Sequence, residues 1–578
     1  MSQALDDMVS PPRYSALLSS NYPPNALEKA TIERDIIELE DRLSRMRSAV
    51  SPVRSLLPEI LGQIFESAVM VQDAPQERVD SARVVDLSLV CKAWRAAAEL
   101  THSLWADVLI AKPGPQTFDK VVAWMGRAGT TPKTLRIRLS NPNFCCLRGH
   151  LSAWGQPDPL CVLDAAPLLE LLTEGLQLDT FEISVRSSFC LRLLLLRAQE
   201  ATSKGSPWMS LRSLDLRICD QDPERVWGYW NWQEPPDPDS MFNHLPSSLT
   251  SLRIRFPSES PPQFTNVFRP ETPFRRYYIP INIPASTLRN LISITIACDW
   301  EGPQIARLLQ YCTRVEYLDI DYETGWGQLW TREATAFAWY GLPPRLHFPE
   351  LRTLKVHHIP SCAAGHVLHF IDAPALSRIH VGIKEVKDEE GPGGDDEGEP
   401  LTIIRPTYLF LDSLGLLHPP RATMLQSLTI SNQDFCEKGF SGKAFISILS
   451  PFLSLTHLTV VGVSFGEEKD TAGDSFAVMR WSMDDQQTFL LPCLEHLEIA
   501  DCYEIFPLES LLRFIEARHR RYEAFAEGDK APDSLKMVVL RDIKNVVTLE
   551  EDCESARALE FVRGMGITVE CIRSPEQK

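Results

Sequence analysis

The chain has 578 residues, 44% of them hydrophobic and 23% charged, with a formal net charge of −19. That composition supplies ample core for a globular protein and argues against nucleic acid as a partner, since phosphates are repelled over most of an acidic surface. No apolar run of about eighteen residues occurs, so no membrane span and no membrane partner are expected.

The N-terminal stretch MSQALDDMVSPPRYSALLSS lacks a basic region followed by an apolar core, so no secretory signal is expected. The fourteen cysteines are scattered without a C-x-x-C pair. They read as buried free thiols of a reducing compartment, cytoplasmic or nuclear, and not as a disulfide framework or zinc site.

Residues 1–27 are rich in Ser and Pro and are expected to be disordered. Residues 28–50 read as a charged amphipathic helix: Ile32, Ile36, Leu39, Leu43 and Met46 alternate spacings of four and three among acidic and basic residues. So short a seam suits either a coiled coil or a helix folded onto a neighbouring domain of the same chain.

Residues 51–110 carry the densest pattern. Leu57, Ile60, Leu61, Ile64, Phe65, Ala68 and Val69 form one apolar stripe at helical spacing. Pro58 suits the first helical position, and Glu59 beside it favours the positive end of the helix dipole. Leu87, Val90, Cys91, Trp94 and Ala98 repeat the device, which closes on Leu104 and Trp105. Two short amphipathic helices cannot bury both faces against each other, so apolar surface is expected to remain for a partner.

This segment resembles the F-box. Leu57, Pro58, Glu59 and Ile60 match its opening, Ile64 and Phe65 its Ile-Phe pair, Asp86, Leu87, Val90, Cys91, Lys92 and Trp94 its middle, and Leu104 and Trp105 its end. The polar gap from Gln72 to Arg83 is expected to be a loop. A helical hairpin capping some other domain is the alternative. The resemblance implies docking on a Skp-type adaptor, and through it on a cullin. It assigns that role to Leu57, Pro58, Glu59, Ile60, Ile64, Leu87, Val90, Cys91, Trp94, Leu104 and Trp105.

Further along, a unit recurs: Leu211-x-x-Leu214-x-Leu216-x-x-Cys219, and again Leu494-x-x-Leu497-x-Ile499-x-x-Cys502. Looser copies begin at Leu178, Leu249, Leu291, Val315, Leu351, Leu376, Leu425, Leu455 and Leu535. The pattern resembles the leucine-rich repeat. Its inner leucines face a core, and copies stack into a continuous parallel sheet.

Helix-like runs at Gln304–Cys312, Lys443–Leu449 and Leu508–Ala526 suit the convex side. The fold class expected is therefore α/β: a helical F-box, then a leucine-rich-repeat solenoid over 132–578, a curved parallel sheet with helices and loops outside it. Irregular spacing marks inserted loops at 220–245, which holds Trp227, Tyr229, Trp230 and Trp232, and at 384–400, which is acidic.

The residue between the inner leucines, and the one after them, should face the concave side. That nominates Asp215, Arg217, Arg253, Arg255, Asp319, Asp321, Lys355, His357, Thr429, Thr459 and Glu498 as substrate-facing. The arginines suit an acidic or phosphorylated segment, or else pairing with Asp215 and its neighbours.

Catalytic signals are sparse. Gly462-Val463-Ser464-Phe465-Gly466 fits a hydrolase elbow, with Asp501 and His519 coming later in order, but EEKDTAGD after it opens no apolar-faced helix. His366, His369 and Asp372 would share a helix face without a further metal ligand. Arg518, His519, Arg520 and Arg521 complement a helix dipole. No catalytic residue, metal or cofactor is expected.

The combined resemblance implies a non-catalytic substrate receptor of a Skp–cullin–F-box ubiquitin ligase, holding a protein substrate on the solenoid. The alternatives are a repeat scaffold that meets no cullin, and a serine hydrolase using Ser464.

Overall fold

The computed structural model describes residues 22–50, 52–71, 78–111, 116–139, 166–185, 188–201, 206–218, 241–255, 283–297, 302–321, 345–360, 371–384, 424–432, 449, 452–462, 476, 490–501, 506, 508–525, 535–543 and 553–572. It divides into a smaller unit, Met1–Asp107 with Arg127–Thr131, and a larger one, Val108–Gly126 with Pro132–Lys578.

The smaller unit is helical. Helix α1 (Ala26–Ala49) carries the charged seam, and Ile36, Leu39, Leu43 and Met46 on it are exposed. Helices α2 (Pro58–Val69), α3 (Ser81–Val90) and α4 (Lys92–Leu100) pack on one another. Pro58 opens α2, where its missing N–H leaves nothing unsatisfied. The Asp80 carboxylate caps α3 by accepting from the backbone N–H of Ala82 at 3.0 Å. Strand β1 (Met70–Val71), just before the gap expected to be a loop, pairs antiparallel with β2 (Arg78–Val79) inside it, and the last residues of that gap, Ser81–Arg83, are already in α3.

The larger unit is built on one fourteen-stranded sheet. Its early strands are β3 (Asp107–Ile110), β4 (Thr134–Arg138), β5 (Thr180–Val185), β6 (Ser213–Ile218), β7 (Ser251–Arg255), β8 (Ser293–Ala297) and β9 (Tyr317–Asp321). A side pair, β10 (Leu346–His347) with β12 (Ile371–Asp372), flanks β11 (Thr353–Pro360) in sequence. The main sheet continues through β11, β13 (Arg378–Lys384), β14 (Ser427–Asn432), β15 (His457–Val461), β16 (His496–Ala500), β17 (Met537–Arg541) and β18 (Thr568–Ile572).

From β4 to β18 neighbouring strands are parallel, and the register keeps equivalent residues abreast: Leu214 beside Leu252, Leu497 beside Val538. Parallel neighbours require a crossover between them, and among the described residues helices contribute to several. Among these are α7 (Ser188–Glu200), α9 (Gly302–Leu309) and α10 (Leu508–Phe525), numbered after α5 (Thr117–Met125), α6 (Ala166–Thr173) and α8 (Ala285–Asn290). Leucines of α6 and α7 join the inward residues of every strand from β4 to β17 in one apolar core.

A second ladder ties the copies together at the turn before each strand. The Asp179 carbonyl accepts from the N–H groups of Arg212 and Ser213, and the Arg212 carbonyl from those of Thr250 and Ser251. The same device runs through Thr250, Ile292, Glu316, Arg352, Ser377, Gln426, Thr456 and Glu495. One carbonyl thus satisfies two donors of the next copy, whatever the length of chain between them. This is why irregular spacing does not interrupt the sheet.

Strands β4 and β18 are further copies that the leucine spacing does not flag. Leu135 and Ile137 sit abreast of Phe181 and Ile183, and Val569 abreast of Val538. In these two copies the leading leucine position holds Pro132 and Gly566.

Candidate functional site

Helix α2 turns its stripe to two sides. Leu61, Phe65 and Val69 are buried, whereas Leu57 (65% exposed), Ile60 and Ile64 face solvent. Residues at i, i+3 and i+7 share a face, so those three form one apolar edge. Val85, Leu89 and Val90 on α3, and Leu100 on α4, are exposed as well.

Trp94 is half-buried, with its ring 5.0 Å from that of Phe65, and Leu87 is half-buried too. Pro58, Glu59 and Cys91 are exposed. Leu104 and Trp105 lie inside, where the indole N–H donates to the Ala98 carbonyl at 2.6 Å and the Arg127 guanidinium covers the ring at 4.7 Å. The eleven residues assigned to adaptor docking therefore divide between an exposed edge, apolar apart from the Glu59 carboxylate, and the packing that supports it.

Of the four cysteines whose burial is described, only Cys312 meets the buried expectation, and Cys493 is half-buried. Cys312 is buried, and burial pushes its thiol up to about 12. Cys91 and Cys571 are exposed, Cys91 because it stands in extended backbone between α3 and α4.

The nominated substrate-facing residues share the open face of the large sheet, opposite the core. Two rows cross it. The first runs Arg136, Glu182, Asp215, Arg253, Thr295, Asp319, Lys355, His380, Thr429, Thr459 and Glu498. The second runs Arg138, Ser184, Arg217, Arg255, Ala297, Asp321 and His357.

The first row is paired within itself at its start: Arg136 meets Glu182 at 3.3 Å and Arg253 meets Asp215 at 3.5 Å. Near the middle, the Tyr317 hydroxyl donates to Asp319 at 3.0 Å, and His357 lies 3.5 Å from the same carboxylate. A bulge between Val356 and Ile359 puts His358 at a φ of 51°, where its ring reaches Asp321 at 2.7 Å. Burial holds the His357 imidazole below its ordinary value, and burial with Asp319 pushes the Tyr317 phenol up.

Other expectations fare differently. Ser464, His366, His369 and the tryptophans from Trp227 to Trp232 lie outside the described residues, as does most of 384–400. Asp372 lies on strand β12 and bonds His347 at 2.8 Å, so it is not on a helix. Arg518 does not merely complement a dipole. It is buried, and its guanidinium donates to the carbonyls of Leu490 at 2.8 Å and Leu491 at 2.6 Å. A basic run gives no signal of which cation turns inward.

Among the described residues no His, Cys, Asp and Glu group is arranged to hold a metal ion, and no helix is long and apolar enough to cross a membrane.

The fold defines a class: an α/β repeat solenoid built on one long, mostly parallel sheet, with helices before it in sequence. No protein-family model and no curated protein sequence matches the chain. Among solved structures, the chain is similar to the leucine-rich repeat-containing protein LegL7 from Legionella pneumophila, at 12% identity and a TM-score of 0.29. That likeness covers 68% of this chain and 89% of the other.

Proposed function

We propose that the protein is the substrate-recognition subunit of a cullin-RING ubiquitin ligase of the Skp–cullin–F-box type. The observation that carries this reading is the exposed apolar edge of Leu57, Ile60 and Ile64, set on a helix whose other side is core. A monomeric domain gains nothing by leaving such residues in water, and large aliphatic anchors supply much of the energy of an interface.

The F-box-like order of motif elements names the partner for that edge, a Skp-type adaptor. The solenoid then holds a protein substrate on its open face, and the chain forms no bond itself. Its contribution is proximity, raising the effective concentration of a substrate lysine beside the charged ubiquitin-conjugating enzyme.

Affinity capture of the full chain from cells tests the assignment. Adaptor and cullin should be retained together. Retention of neither, with other proteins still held, would leave an interaction scaffold that meets no cullin. Labelling of Ser464 by a fluorophosphonate probe would instead revive a hydrolase.

A further inference from the structure

Helix α1 buries little of its apolar seam. It opens on a reciprocal cap, in which the Asn25 side-chain oxygen accepts from the Glu28 N–H at 2.9 Å and the Glu28 carboxylate accepts from the Asn25 N–H at 2.9 Å. Of the seam, Ile32 is half-buried, whereas Ile36, Leu39, Leu43 and Met46 are exposed. Val50, one step past the helix, is exposed too, and its N–H still donates to the Met46 carbonyl at 3.2 Å. A helix in a protein draws most of its stability from packing its apolar face, so this seam calls for a partner.

The spacing sets Ile36, Leu43 and Val50 at the first core position of a heptad, and Ile32, Leu39 and Met46 at the second. The charges are sorted along the helix: residues 28–41 hold six acids and two bases, and residues 42–47 hold three arginines and no acid. Two copies laid parallel align like with like. Flanking positions five residues apart then meet across the seam, with Glu28 beside Glu33, Asp35 beside Glu40 and Arg42 beside Arg47. Every one of these contacts repels.

Laid antiparallel, the acidic part of one copy runs along the basic part of the other. Ile32 then meets Val50, Ile36 meets Met46 and Leu39 meets Leu43, so all six seam residues find apolar partners. Glu33 lies beside Arg47 at both ends, and only Glu40 and Arg42, near the centre, face their own kind. Lys29 touches Glu33 at 3.9 Å, an exposed contact that leaves room on the carboxylate for a second cation. The helix dipoles oppose one another as well.

We propose that the occupant of the α1 seam is α1 of a second copy of this chain, the two helices paired antiparallel about a twofold axis. The seam from Ile32 to Val50 spans under three heptads, so the pair is weak and forms with rising concentration. The inference does not depend on the ligase reading. A dimer carries two α2 edges and two open faces, so a partner with two matching sites is held more tightly than by one copy.

Sedimentation of the full-length chain over a concentration series tests the pairing. The native chain should pass from monomer to dimer, and Ile36→Ser with Leu43→Ser should weaken association by about tenfold or more. Both changes fall on exposed side chains, so the thermal unfolding of the solenoid should not move. Leu57→Ala on α2 should leave the dimer intact, which separates the two apolar seams.

Charge reversal tests the orientation. Glu33→Arg or Arg47→Glu alone should weaken an antiparallel pair by about threefold or more, since each sets like charges together at both ends. The same changes would strengthen a parallel pair, where position 33 faces Glu28 and position 47 faces Arg42. The double variant Glu33→Arg with Arg47→Glu, or an equal mixture of the two single variants, should recover native association. A native chain that is monomeric at every concentration, a dimer that survives the serine variant or is lost with Leu57→Ala, or association strengthened by either single reversal would overturn the proposal.

Discussion

Leu57 and Leu61 stand one helical turn apart on the same apolar stripe, yet Leu57 is 65% exposed and Leu61 is 4% exposed. One residue belongs to the fold and the other to whatever covers the edge. Leu61→Ala should therefore cost folding stability, on the order of 2–5 kcal/mol. Leu57→Ala should cost less than about 0.5 kcal/mol. Denaturant titration of the two variants separates them, and equal costs would mean that the stripe is not divided between core and edge.

Gly62 sits where a Cβ would come within 2.2 Å of the Thr101 hydroxyl oxygen. That hydroxyl donates to the Ala97 carbonyl at 2.8 Å, so it cannot swing away without losing its bond. The close approach lets α2 lie against the end of α4. Gly62→Val should destabilise the helical unit by about 1–3 kcal/mol, seen as a lowered melting temperature. A Thr101→Ala background should recover part of that loss.

Arg518 is a buried cation whose donors are answered by backbone carbonyls. Arg518→Met keeps the apolar stem and removes the guanidinium, leaving the carbonyls of Leu490 and Leu491 without this donor. The expected cost is on the order of 3 kcal/mol. Hydrogen exchange should quicken around Leu490 and Leu491 before it does in β4 to β7, because repeat arrays open locally.

Burial, with His357 and Lys355 adding to it, holds the His380 imidazole down to about 4. An unfolded imidazole titrates near ~6.5. Above that pH the ring is neutral in both states and its contribution to stability is whole. As pH falls from about 6.5 towards 4, the unfolded chain takes up a proton that the folded chain refuses, and stability is lost. His380→Asn should therefore show a smaller drop in melting temperature between pH 7 and pH 5 than the native chain.

Much of this was legible in the sequence, for definite reasons. Leu214, Leu216, Leu497 and Ile499 are buried because an alternating leucine in a stacked strand has one apolar place to go. The open face follows from the same alternation, which sets Asp215, Arg217, Arg253 and Arg255 between the inward residues of β6 and β7. What stayed hidden depended on partners remote in sequence. That Arg253 pairs with Asp215 while Arg217 does not is set by register, which no single repeat records. Strand β4 escaped because Pro132 replaces its leading leucine. The division of the α2 stripe between core and edge was invisible because both halves have the same spacing.

The central claim is that the edge of α2 is an adaptor interface, and titration calorimetry of the full-length chain with a recombinant Skp-type adaptor tests it most directly. The native chain should bind, and Leu57→Ala with Pro58→Ala should weaken binding by on the order of 2–4 kcal/mol while leaving the thermal unfolding of the solenoid unchanged. Unchanged affinity in the double variant, or no binding by the native chain, would contradict the account.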